Sequence, residues 1–183
     1  MNIEVEIRAK IENFDKIKAV LNKVGANFIK LENQIDKIFG ADKFLDTEHK
    51  IIEGGIVARI RGIDGKNTLE FKEILREKGG IELNCPLASI EIGEKILKKL
   101  DFKESFTIKK NREIYSYNGF TICLDKVEQL GNFIEIEREI TSEDKIEETR
   151  KECLDLLEKI APGLGIEKRK YGDLMQELIN KQK

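Results

Sequence analysis

Five acidic residues occupy alternate positions in stretches that read as β-strands: Glu4 and Glu6 near the start of the chain, and Asp125, Glu135 and Glu137 in its second half. Glu82 stands in a similar stretch and extends the set. Spread among them is a basic set, Arg8, Lys10, Arg59, Arg61, Lys72, Lys110 and Arg112. Carboxylates in this number are hard oxygen donors suited to Mg²⁺ or Mn²⁺, ions that hold substrate phosphates while keeping some of their own water. Guanidinium forks match phosphate oxygens in bidentate fashion, and lysine adds a compact charge. The two sets on one surface would hold a triphosphate between metal and cations, the arrangement that phosphoryl transfer requires.

The elements that must position them follow from periodicity. In the first stretch Ile3, Val5, Ile7, Ala9 and Ile11 alternate with Glu4, Glu6, Arg8 and Lys10, so a strand there carries its apolar and charged residues on opposite faces. The same alternation recurs around Arg59–Arg61, Glu70–Lys72, Lys110–Arg112 and Glu135–Glu137. Between the first strand and the next, Phe14, Ile17, Val20, Leu21 and Val24 form a helical stripe, with Asn13 as N-cap and Gly25 as its stop. A strand is expected over 27–39, a loop-like segment around a short strand over 42–55, and a hairpin of 56–61 with 67–74 across Asp64-Gly65. After a turn at 76–80 come a strand over 81–87 and a helix over about 90–100, with Ile96, Leu97 and Leu100 on one side. Strands over 106–117 and 120–125 meet at Asn118-Gly119, and a last strand covers 132–140. A long helix beginning near Ser142 carries Ile146, Cys153, Leu154, Leu157 and Ile160 as its stripe and ends at Ala161-Pro162-Gly163. A final short helix presents Tyr171, Leu174, Met175 and Leu178.

The chain also reads as an internal duplication. A shift of 76 positions, the distance from Glu6 to Glu82, superposes Val20-Leu21 on Ile96-Leu97, Asp36 on Arg112, Arg59 on Glu135 and Arg61 on Glu137. Where one half places acids, the other often places bases. Eight or more antiparallel strands with helices outside suggest a closed barrel. A charged lumen is expensive, since each unpaired buried ion costs several kcal/mol, so it persists only where opposite charge, water or ligand neutralises it.

Composition narrows the function classes. The 183 residues are 40% hydrophobic and 37% charged with a net charge of -2, so no global basic field points to nucleic acid. Abundant Ile, Lys and Glu with two prolines and no tryptophan fits a thermophile's composition. Cys85, Cys123 and Cys153 form no CxxC pair, which removes zinc ribbons and redox motifs, and all three are expected as buried thiols. No stretch approaches the length of an apolar membrane span and no leader pattern opens the chain, so a cytoplasmic protein is expected. Gly62 to Lys66 has the wrong spacing for a P-loop, the single histidine, His49, excludes histidine-rich zinc sites, and Lys168-Arg169-Lys170 reads as a solvated or site-closing basic segment.

The ordered motifs carry a resemblance. Glu4-x-Glu6-x-Arg8 is similar to the ExExK signature of the CYTH superfamily, the triphosphate tunnel metalloenzymes. Gln34-x-Asp36-x-x-Phe39, Arg59-x-Arg61, Phe71-Lys72, Arg76 followed by Glu82, and Lys110-Asn-Arg112-Glu-Ile-Tyr115 resemble its later motifs in order. Asp125 and Leu130-Gly131-x-Phe133-x-Glu135-Ile-Glu137 resemble its metal-binding end, and Tyr171-x-x-Leu174 its C-terminal closing segment. The likeness is greatest to the archaeal and bacterial class IV adenylyl cyclase-like branch. It implies an α+β fold: an eight-stranded antiparallel β-barrel forming a triphosphate tunnel, with external helices and pseudo-duplicated halves. The whole chain, 1–183, would be one domain, often dimeric, with a helical segment from about 142 packing on or closing the tunnel. It further implies Mg²⁺ or Mn²⁺ on Glu4, Glu6, Asp125, Glu135 and Glu137 with Glu82, and triphosphate on Arg59, Arg61, Lys72, Arg76, Lys110, Arg112 and Tyr171. The implied partner is a nucleoside triphosphate or another triphosphate, with neither nucleic acid nor membrane. Arg8 stands where the family has its nucleophile-orienting lysine, and Lys10 follows where arginine is common, so catalytic roles fall on Arg8 and Lys10. Class IV cyclisation of ATP to cyclic AMP and pyrophosphate is the leading implied activity. Hydrolysis of thiamine triphosphate or inorganic triphosphate is the second, and non-catalytic binding of nucleotide or polyphosphate the third.

Overall fold

The alternating stretches do form strands. The computed structural model describes residues 3–47, 51–74 and 82–181, with backbone alone at Glu82. The strands are β1 (Ile3–Ile11), β2 (Asn27–Gly40), β3 (Ile56–Ile63), β4 (Lys66–Glu73), β5 (Glu82–Leu87), β6 (Lys103–Tyr117), β7 (Phe120–Val127) and β8 (Gly131–Ile140). The helices are α1 (Phe14–Val24), α2 (Ile90–Lys99), α3 (Ile146–Ile160) and α4 (Tyr171–Lys181). The eight strands hydrogen-bond in the order β1-β8-β7-β6-β2-β3-β4-β5. Among the described residues no pairing joins β1 to β5, so the architecture is an eight-stranded antiparallel sheet with helices, an α+β fold, rather than a barrel closed by hydrogen bonds. The turn expected at 76–80 and His49 lie outside the described residues.

The chain divides into two compact units. The first comprises residues 1–32 and 110–183. Its sheet pairs β1 with β8, β8 with β7 and β7 with β6, all antiparallel. The period of two sends Ile7, Ala9, Ile122, Leu124, Ile134 and Ile136 to one face, where Ile17 and Leu21 of α1 and Cys153, Leu156, Leu157 and Ile160 of α3 cover them. Burying a leucine as completely as Leu21 contributes about 1.5–3 kcal/mol. Helix α1 starts where Asn13 Oδ1 accepts from the Asp15 amide, and ends at Gly25, whose φ of 81° is left-handed. In α3 the buried stripe is Thr149, Cys153, Leu156, Leu157 and Ile160; Leu154 is exposed, which corrects its assignment to the core.

The second unit, residues 33–109, holds β3, β4, β5, α2 and the adjoining parts of β2 and β6. Its core is Phe39, Ala41, Ala58, Ile60, Leu69, Leu97 and Phe102. Helix α2 meets this sheet through Leu97 and a glycine. A Cβ on Gly93 would lie 2.9 Å from Ile60 Cδ1 and 2.5 Å from Leu87 Cδ1, so the glycine brings the helix close to these side-chain ends, which would have to shift for a larger residue. Ile96 and Leu100, expected on one side of the helix with Leu97, are exposed, while Leu97 is buried. Cys123 and Cys153 are buried as expected, but Cys85 is exposed on β5, which corrects the expectation of three buried thiols.

Candidate active site

In the first unit the face opposite the apolar core carries the predicted chemistry. Register sets Arg8 beside Glu135, Glu6 beside Glu137, and Arg112 beside Asp125. Cys123 pairs with Glu135 across β7 and β8. These side chains are held by one another. Asp125, fully buried, accepts from Arg112 Nε at 2.7 Å and Nη2 at 2.6 Å, and from the Tyr171 hydroxyl at 2.8 Å, with Lys110 Nζ 3.5 Å away. Glu135 is clasped between Arg8 and Arg112. Burial opposes ionisation of Asp125, but the Arg112 hydrogen bonds and the Lys110 charge outweigh it and hold its carboxyl below the usual range. Burial likewise pulls the Arg112 guanidinium down, and the Asp125 hydrogen bonds with the Glu135 charge reverse this to a net increase. The pair is thus ionised and locked.

Arg8 does more than pair. Its Nη1 donates to the Arg169 carbonyl at 2.8 Å, and its guanidinium lies 4.1 Å from the Tyr171 ring centre. Its own carbonyl accepts from the Glu167 amide at 2.8 Å, beside a strand-like bridge between Ala9 and Ile166. Residues 166–171 are therefore strapped to β1 just before α4. Tyr171 sits at the strap's end, its ring 5.1 Å from that of Phe133 and 5.0 Å from Lys110 Nζ. Lys10 is exposed, 5.8 Å from the Phe133 ring.

Three more carboxylates gather beside this group, with Glu6 3.5 Å from Arg8 and Glu137 3.5 Å from Arg112. Glu4, Glu6 and Glu137 each offer an oxygen within 4.8 Å of the other two. Burial first, then the charges of Glu135, Glu4 and Glu6, push the Glu137 carboxyl up to about 7 despite the opposing pull of Arg112, 3.5 Å away. Mutual repulsion among converging carboxylates is the condition a divalent cation relieves. The donors are hard oxygens, so the trio fits Mg²⁺ or Mn²⁺. Of the five acids expected to ligate, the structure brings Glu4, Glu6 and Glu137 together and commits Asp125 and Glu135 to guanidinium groups.

The second unit repeats the theme with its own residues. Asp36 accepts from Arg61 Nε at 2.7 Å and Nη2 at 2.8 Å, and Glu70 pairs with Arg59. Lys72 lies across from Val57 and Glu82 in register. The side chain of Glu82 and the whole of Arg76 lie outside the described residues. Sequence reasoning passed over Glu70, although it shares strand parity with Lys72. It also read Cys123 only as a buried thiol. The thiol lies on the charged face, 3.8 Å from Glu137 Oε1, and burial raises its pKa.

Residues 2–167 match the CYTH domain family. The chain belongs to the CYTH family. The CYTH match covers both units and stops short of α4. The chain is 33% identical over 165 residues to a Methanocaldococcus jannaschii protein named "Putative adenylate cyclase", covering 86% of this chain and 89% of that one. Among solved structures, a conserved hypothetical protein of Pyrococcus furiosus is 31% identical with a TM-score of 0.74, over 92% of this chain and 98% of that one. A Hippeastrum protein described as a "Putative adenylyl cyclase" that reveals a dominant triphosphatase activity is 15% identical with a TM-score of 0.64, over 97% of this chain and 96% of that one, a likeness of fold alone. Among the described residues of this CYTH chain no helix is long and apolar enough to cross a membrane.

Proposed function

We propose that the chain is a metal-dependent enzyme acting on a triphosphate, and that its reaction is the class IV adenylyl cyclase type, ATP to cyclic AMP and pyrophosphate. The carrying observation is the juxtaposition on one sheet face of a converging carboxylate trio, Glu4, Glu6 and Glu137, with Arg8, Lys110 and Arg112. Five carboxylates on this face, against the cations Arg8, Lys10, Lys110 and Arg112, would repel a bare polyanion. A triphosphate is accommodated only together with Mg²⁺ or Mn²⁺, which would supply charge neutralisation at the phosphate oxygens. Arg112 and Lys110 then stabilise negative charge as it develops on the leaving oxygens. In cyclisation the ribose 3′-hydroxyl oxygen attacks the α-phosphorus and gives up its proton to solvent, the bond to the α–β bridging oxygen breaks, and pyrophosphate carries the electron pair away. By family resemblance Arg59, Arg61, Lys72 and Arg76 are assigned to phosphate binding, Tyr171 to the same set through its ring at Lys110, and Lys10 to the catalytic pair with Arg8.

A second reading, hydrolysis of a triphosphate such as thiamine triphosphate or inorganic triphosphate, is favoured by one observation. Arg8 is engaged by Glu135, Arg169 and Tyr171, which leaves it poorly placed to orient a sugar hydroxyl. Here water attacks the terminal phosphorus, the bond to the β–γ bridging oxygen breaks, the diphosphate leaves with the electron pair, and orthophosphate is released with the water's proton passing to solvent. Product analysis separates the two: the protein is incubated with ATP, thiamine triphosphate and inorganic triphosphate, with Mg²⁺, Mn²⁺ or chelator. Metal-dependent cyclic AMP and pyrophosphate support the cyclase. Orthophosphate without cyclic product replaces it with the hydrolase, and ATP binding without turnover or metal dependence refutes both.

A further inference from the structure

The last helix packs only half of its apolar stripe. Tyr171, Leu174, Met175 and Leu178 share one face of α4. Tyr171 and Met175 are buried, whereas Leu174 and Leu178 are half-buried. Both leucines line a cavity of about 250 Å³, with Leu130 and Phe133, from the β7–β8 turn and β8, on its other wall. Protein interiors pack to crystal density, so a gap along the flank of α4 forfeits contacts that an apolar body would restore. The volume falls below the roughly 300–1,000 Å³ of pockets for drug-sized ligands, which suits a molecule of small-metabolite size.

The rim of the cavity is charged. Arg169 pairs with Glu167 and Glu177, and Lys181 also pairs with Glu177, so both carboxylates are neutralised by the protein itself. Lys10 completes the rim. Among the described residues it has no ion pair, and its ammonium rests beside Gly131, 3.8 Å from where a Cβ would stand there. Three cations against two carboxylates leave one positive charge beside an apolar hollow. We propose that this cavity binds a small monocarboxylate with a branched or aromatic apolar body. Its carboxylate pairs with Lys10, and its body lies between Leu130, Leu174 and Leu178. A phosphate dianion would bring excess negative charge to Glu167 and Glu177, a cation would meet Lys10, and a neutral molecule would forgo the ion pair.

The occupant would reach the candidate active site through the strap. Glu167 and Arg169 line the cavity with their side chains and hold Arg8 with their backbones, through the Glu167 amide and the Arg169 carbonyl. Filling the cavity therefore ties α4 and the strap more firmly to β1.

Calorimetric titration of the whole chain with 4-methylpentanoate, 3-phenylpropanoate and their neutral amides tests the proposal. At least one carboxylate is expected to saturate with a Kd below about 1 mM, and its amide to bind at least about tenfold more weakly. Lys10→Met should lower the carboxylate's affinity to that of the amide. Leu178→Trp, which fills the cavity, should abolish binding without lowering the thermal midpoint. At a ligand concentration about ten times Kd, amide exchange over residues 166–181 should slow about tenfold. No saturation by either carboxylate at about 10 mM overturns the proposal, as does equal affinity of acid and amide or unaltered affinity in Lys10→Met. If either variant fails to fold, wild-type exchange over 166–181 that saturating carboxylate leaves unchanged overturns it instead. None of these readouts uses turnover, so their failure and the failure of the triphosphate reading are separate results.

Discussion

Raising the pH from 6 to 8 should tighten Mg²⁺ binding about tenfold through Glu137 alone. Its carboxyl rises from the ordinary 4.5 to about 7, chiefly through burial and the neighbouring charges of Glu135, Glu4 and Glu6. At pH 6 the group is mostly protonated and must lose its proton before it can ligate; at pH 8 it is already ionised, and the difference corresponds to about 1.4 kcal/mol. The same displacement fixes the sign of a stability effect without metal. Below the unfolded value both states are protonated and the term is fully present. As pH rises from 4.5 to about 7 the unfolded state has ionised while the folded state still holds its proton, so about 3 kcal/mol of stability is lost over that window, and the loss is complete just above 7. Bound Mg²⁺ should abolish that loss. Titration calorimetry at the two pH values measures the affinity, and thermal melts with and without Mg²⁺ measure the stability. Glu137→Gln should flatten the pH dependence between 6 and 8. Equal wild-type affinities at pH 6 and 8 would refute the assignment of Glu137 as a ligand of raised pKa.

Two further substitutions test the locked part of the face. Arg8→Lys removes the fork that serves Glu135 and the Arg169 carbonyl together and the flat stacking on Tyr171; stability should fall about 1–2 kcal/mol and amide exchange over residues 166–171 should accelerate, and unchanged exchange would contradict the strap. Asp125→Ala leaves Arg112 and Lys110 without their buried counter-ion and the Tyr171 hydroxyl without its acceptor; denaturant unfolding should show a loss of about 3–5 kcal/mol, and a loss under about 1 kcal/mol would mean that the cluster is solvated.

Much of this was legible in the sequence because strand periodicity acts on every residue. Alternation in Ile3–Ile11 already separated the apolar face under α1 and α3 from the face carrying Glu4, Glu6 and Arg8. The turns at Asp64-Gly65 and Asn118-Gly119, and the left-handed stop at Gly25, followed from local backbone chemistry and appear with positive φ. What periodicity does not encode is distance between elements. Ile96, Leu97 and Leu100 read as one side of a helix, but α2 meets the sheet through Gly93 and Leu97, which leaves Ile96 and Leu100 exposed. Alternation also places an acid on a face without saying what it meets there. Asp125 and Glu135 share that face with Glu4, Glu6 and Glu137, and it is register that sets Arg112 and Arg8 beside the first two and Glu6 opposite Glu137. The role of Arg8 in holding the strap depends on a contact spanning 161 positions of chain, which no local pattern carries.

The central claim is that Glu4, Glu6 and Glu137 hold a divalent cation that brings a triphosphate to Arg112 and Lys110. Titrating Mn²⁺ by electron paramagnetic resonance, with and without inorganic triphosphate, in the wild type and in Glu6→Gln tests it most directly. The account predicts that triphosphate tightens Mn²⁺ binding in the wild type and that Glu6→Gln, whose side chain is not part of the apolar core, keeps its fold but loses the bound ion. Wild-type affinity for Mn²⁺ in a folded Glu6→Gln variant would contradict it.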